Sequence, residues 1–250
     1  MKQNNLIITL LLSWLVSGCA TTTPSDPFEK FNRGVFAIND GIDKIMIKPV
    51  AVFYKEVVPT RVLTGVTNFF SNLDDVFVVA NDVFQFKFKQ AGSDTVRLLL
   101  NSSAGVLGLF DVATKMGFEK HYEDFGQTLG YWGIGSGPYI VLPIFGPSSV
   151  RDTIGWAGDI LLRPDYYYGQ SKNKSARYIL LTSTSIEFVD ERAKLLQFES
   201  VLKTAALDKY SYIRDAYLAR RKYLVYDGNP PEEDAIFEED DIFDDEDEDE

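Results

Sequence analysis

Ser136 sits in Gly133-Ile134-Gly135-Ser136-Gly137-Pro138, the stretch of this 250-residue chain whose spacing comes nearest to a catalytic or phosphate-cradling loop. It fails both tests. A nucleophile elbow needs glycine two residues to either side of the serine, and Ile134 and Pro138 hold those places. A dinucleotide fingerprint fails at its last glycine and lacks the strand before it. His121 is the single histidine and lies in the polar run Glu119 to Asp124 with no nucleophile pattern around it, so it reads as a loop histidine and excludes multi-histidine metal sites. Cys19 is the single cysteine, which excludes an intramolecular disulfide and a multi-thiolate site. Paired acids such as Asp74-Asp75 fit helix caps better than a general acid and base. No triad can be assembled, no cofactor is called for, and the chain does not read as an enzyme.

What the same glycines do suggest is a moving or lining element. Gly126 to Val150 contains no Asp, Glu, Lys, Arg or His, while six of its residues are Gly and three are Pro. No single helix can run through it. An apolar segment with broken backbone fits either a buried hairpin in an ordinary core or an element at lipid depth that protein covers or that lines a wet cavity. Gly133, Gly135, Gly137, Pro138 and Pro143 are the candidate gate residues, with plain turn formation as the alternative for the glycines. Arg151 and Asp152 close the uncharged run and are candidates for contact with a lipid head group, or for a structural ion pair and helix cap. Arg214, Arg220 and Arg221, within a basic cluster that also holds Lys203, Lys209 and Lys222, could meet anionic lipid or a carrier protein, or form a solvated face. Lys44, Lys48 and Lys55 flank apolar faces and could snorkel to phosphates or be simple solvated lysines.

The ends stand apart from the fold. Lys2, the apolar run Leu6 to Val16 and the small residues after it read as a secretory signal, too short for a permanent span. Leu15-Val16-Ser17-Gly18-Cys19 resembles a bacterial lipobox, which makes Cys19 the lipid anchor. Glu232 to Glu250 holds fourteen acidic residues and no basic one. Without that tail and Lys2, the formal charge of −12 becomes 24 basic against 23 acidic residues, a balance with no nucleic-acid footprint. The expected organisation is a signal peptide over 1–18, a lipidated tether over 19–26, one helical domain over 27–228 and an acidic disordered tail over 229–250. The tail fits a solubilising appendage or a docking motif.

The elements between are helical by period. Asp26-Pro27-Phe28-Glu29 spells a helix start with Asp26 as cap and Glu29 reaching back to it, and the helix should stop before Pro49. Further helices are expected over Ala51 to Val57, Arg61 to Leu73, Asp75 to Phe86 and from Ser93 or Asp94 to Leu100, with Ala104 to Lys115 a further apolar segment of this kind. Ser148 or Ser149 should cap a helix to Leu162, Ala176 to Leu202 should form a longer one and Asp208 to Tyr226 the last. None has enough apolar residues to cross a membrane, so these helices should lie in an interface or stack. Only Tyr139 to Phe145 carries a strand signal. Tyr166-Tyr167-Tyr168 suits a membrane boundary or a partner surface.

With these residues set out, the chain resembles the MlaA family, also called VacJ. The matching motifs are Asp26-Pro27-Phe28-Glu29-Lys30-Phe31-Asn32-Arg33, Asn68-Phe69-Phe70-Ser71-Asn72-Leu73 and Gly108-Leu109-Phe110-Asp111-Val112-Ala113. The longest runs from Glu123-Asp124-Phe125-Gly126-Gln127-Thr128-Leu129-Gly130 through Gly137-Pro138-Tyr139-Ile140-Val141-Leu142-Pro143 to Gly146-Pro147-Ser148-Ser149-Val150-Arg151-Asp152. The chain departs from the pattern at Asp74-Asp75-Val76, where many members carry a proline, and at Gln85-Phe86.

The resemblance implies an all-α fold: a ring of mostly in-plane amphipathic helices with one short Gly/Pro hairpin, enclosing an amphipathic channel. It implies an outer-membrane lipoprotein that faces the periplasm, removes mislocalised phospholipid from the outer leaflet and passes it to a periplasmic carrier of the MlaC type, with trimeric porins as membrane partners. Two other functions fit parts of the sequence: a structural adaptor that tethers envelope partners without moving lipid, and an envelope lipid hydrolase.

Overall fold

The computed structural model describes residues 26–162, 173–205 and 207–231. The signal peptide, Cys19, the tyrosine run at 166–168 and the acidic residues from 232 onward lie outside the described residues. The elements are α1 (Glu29–Ile42), a π-helical turn (Asp43–Ile47), α2 (Lys48–Val57), α3 (Thr60–Phe84), α4 (Phe88–Ser103), α5 (Phe125–Tyr131), β1 (Tyr139–Leu142), β2 (Gly146–Ser149), α6 (Val150–Leu162), α7 (Lys174–Leu195), α8 (Glu199–Ala205) and α9 (Lys209–Val225). The fold is all-helical apart from the hairpin of β1 and β2, whose antiparallel register runs from Tyr139 opposite Ser149 to Leu142 opposite Gly146.

Several starts and stops differ from the sequence expectation, each for a reason of packing. Asp26 does not cap α1; Phe28 holds the cap position without a side-chain bond. The Asp26 carboxylate is fully buried and accepts from Asn32 Nδ2 at 2.8 Å and from the Tyr210 hydroxyl at 2.5 Å. The folded body therefore includes Asp26, which the expected tether contained. Pro49 stops nothing, because it falls in the first turn of α2, where a missing N–H costs no bond. The two helices expected over 61–86 are one helix of 25 residues. With no proline at 74–76 nothing breaks it, and Asp75 lies buried inside it, paired with Lys120 and Arg97, instead of capping an end. Likewise α4 starts at Phe88, so Asp94 is an interior, buried residue that faces His121 Nδ1 at 2.9 Å. Residues 104–113 form turns, with Val106 and Leu107 at positive φ and Asn101 Oδ1 accepting from the amides of Val112 and Ala113. The long helix after Lys174 is divided by a 3₁₀ turn at Leu196–Phe198.

Other ends fall where the sequence places them. Ser149 Oγ accepts from the Asp152 amide at the head of α6, and Asp208 accepts from the Tyr210 amide at the head of α9. The first and last helices are stitched together: Arg33 Nη2 reaches Asp208 at 2.6 Å, Lys209 pairs with Asp40, and Asp26 meets Tyr210.

The distribution of polarity is inverted. Among the described residues, buried polar and charged side chains outnumber buried apolar ones, while large apolar side chains crowd the outside. Asn81, Asp82, Gln85, Asp94, Arg97 and Asn101 line the facing sides of α3 and α4 in the interior. Ile45 is 79% exposed, Phe53 66% and Phe86 68%. Each side chain of that size left in water forgoes about 1.5–3 kcal/mol of burial. Such an exterior is stable only against an apolar solvent or partner. No helix among the described residues is long and apolar enough to cross a membrane.

Candidate functional site

The hairpin is held from one side by two asparagines spaced seven apart on α1. Asn32 donates to the Tyr139 carbonyl at 3.0 Å and accepts from the Val141 amide at 3.0 Å. Asn39 repeats this further along, donating to the Leu142 carbonyl at 2.9 Å and accepting from the Ile144 amide at 2.8 Å. The free edge of β1, which would otherwise expose its N–H and C=O groups, is thus completed by side-chain amides. Inward, Tyr139 and Val141 pack against Tyr210, with Val35, Phe36, Tyr217 and Leu218 around them. At the tip, Ile144 takes φ +70°, a conformation strained for a β-branched residue, and its amide bond to Asn39 holds it there.

Ahead of the hairpin, Asp124 caps α5 by accepting from the Gln127 amide at 2.8 Å. Gly133 ends that helix at φ +86°, with its amide bonded to Gly130 O and the Ile134 amide to Leu129 O, a glycine-dependent C-terminal motif. Gly133 is therefore a turn former, the alternative the sequence left open for it. Pro138 leads into β1 and Pro143 leads into the tip. Gly135 lies on an exposed loop where an added Cβ would meet nothing within 4 Å. Behind the loop, α5 and α6 touch backbone to backbone: a Cβ at Gly155 would lie 2.3 Å from Gly126 N.

The charges flanking the uncharged run turn inward. Arg221 Nη1 and Nη2 bind Asp124 at 2.5 and 2.9 Å, and Nη2 also reaches Asp152 at 2.8 Å. Tyr217 donates to Asp152 at 2.6 Å, and Arg151 Nε lies 3.1 Å from the same carboxylate. Burial opposes the ionisation of Asp124 and Asp152, yet Arg221 overrides it and holds both carboxyls below their ordinary value. Arg151 and Asp152 thus form the ion pair and first-turn contact of α6. Arg221, one of the candidate contacts for a carrier or lipid, turns its fork of donors to these two carboxylates. Arg214 is also inward, 3.5 Å from Asp26 and bonded to Asp215. Arg220 is exposed.

Arg220 and Arg221 border a cavity of about 400 Å³ whose lining includes the charged Lys120, Glu123, Asp124 and Asp159 as well as the apolar Phe77, Val78 and Leu224. The Asp159 carboxyl is pushed up to about 6 by burial and by the nearby Asp124, although the Phe125 amide donates to it at 3.1 Å. Beneath, Gln85 Nε2 donates to Glu123 at 2.8 Å and Thr128 to Asn81 at 2.7 Å, so the polar lining continues into the interior. A cavity lined by both charged and apolar side chains has the two kinds of surface an amphiphile requires.

The family model described as MlaA lipoprotein matches residues 24–224. The chain belongs to the MlaA family. It is 31% identical over 224 residues to the intermembrane phospholipid transport system lipoprotein MlaA of Escherichia coli K12, covering 88% of this chain and 86% of that one. It is 33% identical over 216 residues to an uncharacterised protein of Rickettsia bellii, covering 86% and 82%. Among solved structures it is similar, at a TM-score of 0.70 and 30% identity, to a chain reported under "Structural basis for maintenance of bacterial outer membrane lipid asymmetry"; the match covers 80% of this chain and 99% of that one.

The first and the longest of the MlaA motifs singled out in the sequence meet at the site. Asn32 of the first motif grips Tyr139 of the longest one, while Asp124 and Asp152 of that same motif share Arg221. Asn39 escapes a sequence reading of polar function; its only signal is its place seven residues after Asn32 on the same helical face.

Proposed function

We propose that this chain is an outer-membrane lipoprotein, anchored through Cys19 and facing the periplasm, that removes phospholipid from the outer leaflet and delivers it to a soluble carrier of the MlaC type, with trimeric porins as membrane neighbours. The inverted burial carries this reading. Driving a charged head group through bare hydrocarbon costs on the order of tens of kcal/mol by Born solvation. Charged side chains in the cavity lining let the head keep polar contacts while the acyl chains stay against apolar surface. The name of the Escherichia coli relative supports the substrate class. In this scheme the exposed loop around Gly135 is the part free to yield, because β1 is clamped by Asn32 and Asn39.

The test is a deletion strain carrying either the native chain or Gly135→Pro, with outer-leaflet phospholipid measured by a phospholipase added outside the cells. The deletion should raise surface phospholipid, the native chain should restore it and Gly135→Pro should not. Normal surface phospholipid in the deletion strain would overturn the proposal. Full restoration by Gly135→Pro would remove the loop from it, and loss of partner binding with lipid clearance intact would favour the adaptor.

A further inference from the structure

A cavity of about 500 Å³ opens between α2 and α7, outside the polar site. Phe53, Val57, Leu181 and Ile186 form apolar walls and are largely exposed. Two of its hydroxyls spend their bonds on the protein: Ser185 donates to Leu181 O at 2.7 Å and Tyr54 to Asp190 at 3.2 Å. A second hollow of about 300 Å³ shares Leu181, and its other described walls are Lys174, Arg177 and Tyr178. Neither Lys174 nor Arg177 is paired with an acid among the described residues.

These residues recur at three- and four-residue steps, so cations, a tyrosine and then the apolar groove follow one another along one face of α7. At 1.5 Å per residue, Leu181 to Val189 spans roughly 12 Å and Lys174 to Val189 roughly 22 Å. The apolar stretch and the basic stretch thus adjoin on one face of α7, as the acyl chain and phosphate of one lipid do. Tyrosine between the two zones is the residue expected at that boundary.

We infer that the groove of α2 and α7 is a lipid seat separate from the polar cavity, holding an acyl chain of an anionic phospholipid whose phosphate rests on Lys174 and Arg177. The inference deepens the function proposed above and rests on it. The apolar walls select hydrocarbon, and the unpaired cations select a phosphate with net negative charge over a zwitterionic head. Lipid held there is positioned at the protein's flank before or after it passes the polar cavity.

The full-length lipidated chain, reconstituted in vesicles of phosphatidylethanolamine and phosphatidylglycerol, tests this when the phosphatidylglycerol carries a photoactivatable acyl chain and adducts are mapped by mass spectrometry. Adducts should concentrate on 50–58 and 181–189 over other exposed apolar sites such as Phe86 and Phe110. The double variant K174E/R177E changes only exposed side chains and should lower groove adducts roughly tenfold without altering those at Phe86. Equal labelling of every apolar face, or groove labelling unchanged by the charge reversal, would overturn the seat. So would groove labelling that emerges only when residues 232–250 are removed, since the tail would then be the occupant. Failure of the transport reading would be seen elsewhere, as unaltered surface phospholipid in the deletion strain.

Discussion

Asn32 and Asn39 act as pieces of a missing strand, each offering β1 one donor and one acceptor. Removing one such amide leaves a carbonyl and an amide without their partner, at about 1–3 kcal/mol for a buried group. The groups that Asn39 serves are only partly buried, so Asn39→Ala should lower stability by the smaller net worth of a hydrogen bond, about 0.5–1.5 kcal/mol, and speed hydrogen exchange at 141–147, read by mass spectrometry, while the base of the hairpin at Tyr139 stays protected. Asp82 is a second informative residue. Burial, then the facing Asp94 and Glu123, push its carboxyl up to about 8, against a partial offset from Gln90. Since the folded state binds this proton more tightly than the unfolded state, the stabilisation is complete below 3.8 and is lost as pH rises through about 8. The melting temperature of the reconstituted protein should fall across that window, and Asp82→Asn should flatten the slope.

At the scale of elements, α5 and α6 depend on the absence of a side chain. Gly155→Ala would place Cβ 2.3 Å from the backbone of Gly126, which cannot swing aside, so the helices must separate. Overpacking of this kind costs about 1–3 kcal/mol, measurable as a drop in thermal midpoint. Gly135→Ala, with nothing within 4 Å, should be neutral in the same assay. These contacts also mark what the sequence could tell. The cap Ser149 was legible because its partner lies three residues away. Asp26, Asp75 and Asp94 carry the same local signature and were misread, because their partners Tyr210, Lys120 and His121 are remote in sequence. Buried charge satisfied over long range leaves no periodic trace, and for the same reason Arg221 looked like a surface cation.

For the whole molecule, the apolar exterior and charged interior ask for a surrounding that is not water. Trp132 and Trp156 lie in that exterior, 50% and 44% exposed. In vesicles with brominated acyl chains their fluorescence should be quenched strongly, whereas aqueous iodide should quench little; the reverse order would show that these faces meet water. The stitch between Asp26 and Tyr210 joins positions 184 residues apart. Closing so long a loop is paid in chain entropy before the contact returns anything. A nascent polypeptide must therefore leave this junction open until α9 has been made and can meet the start of the fold.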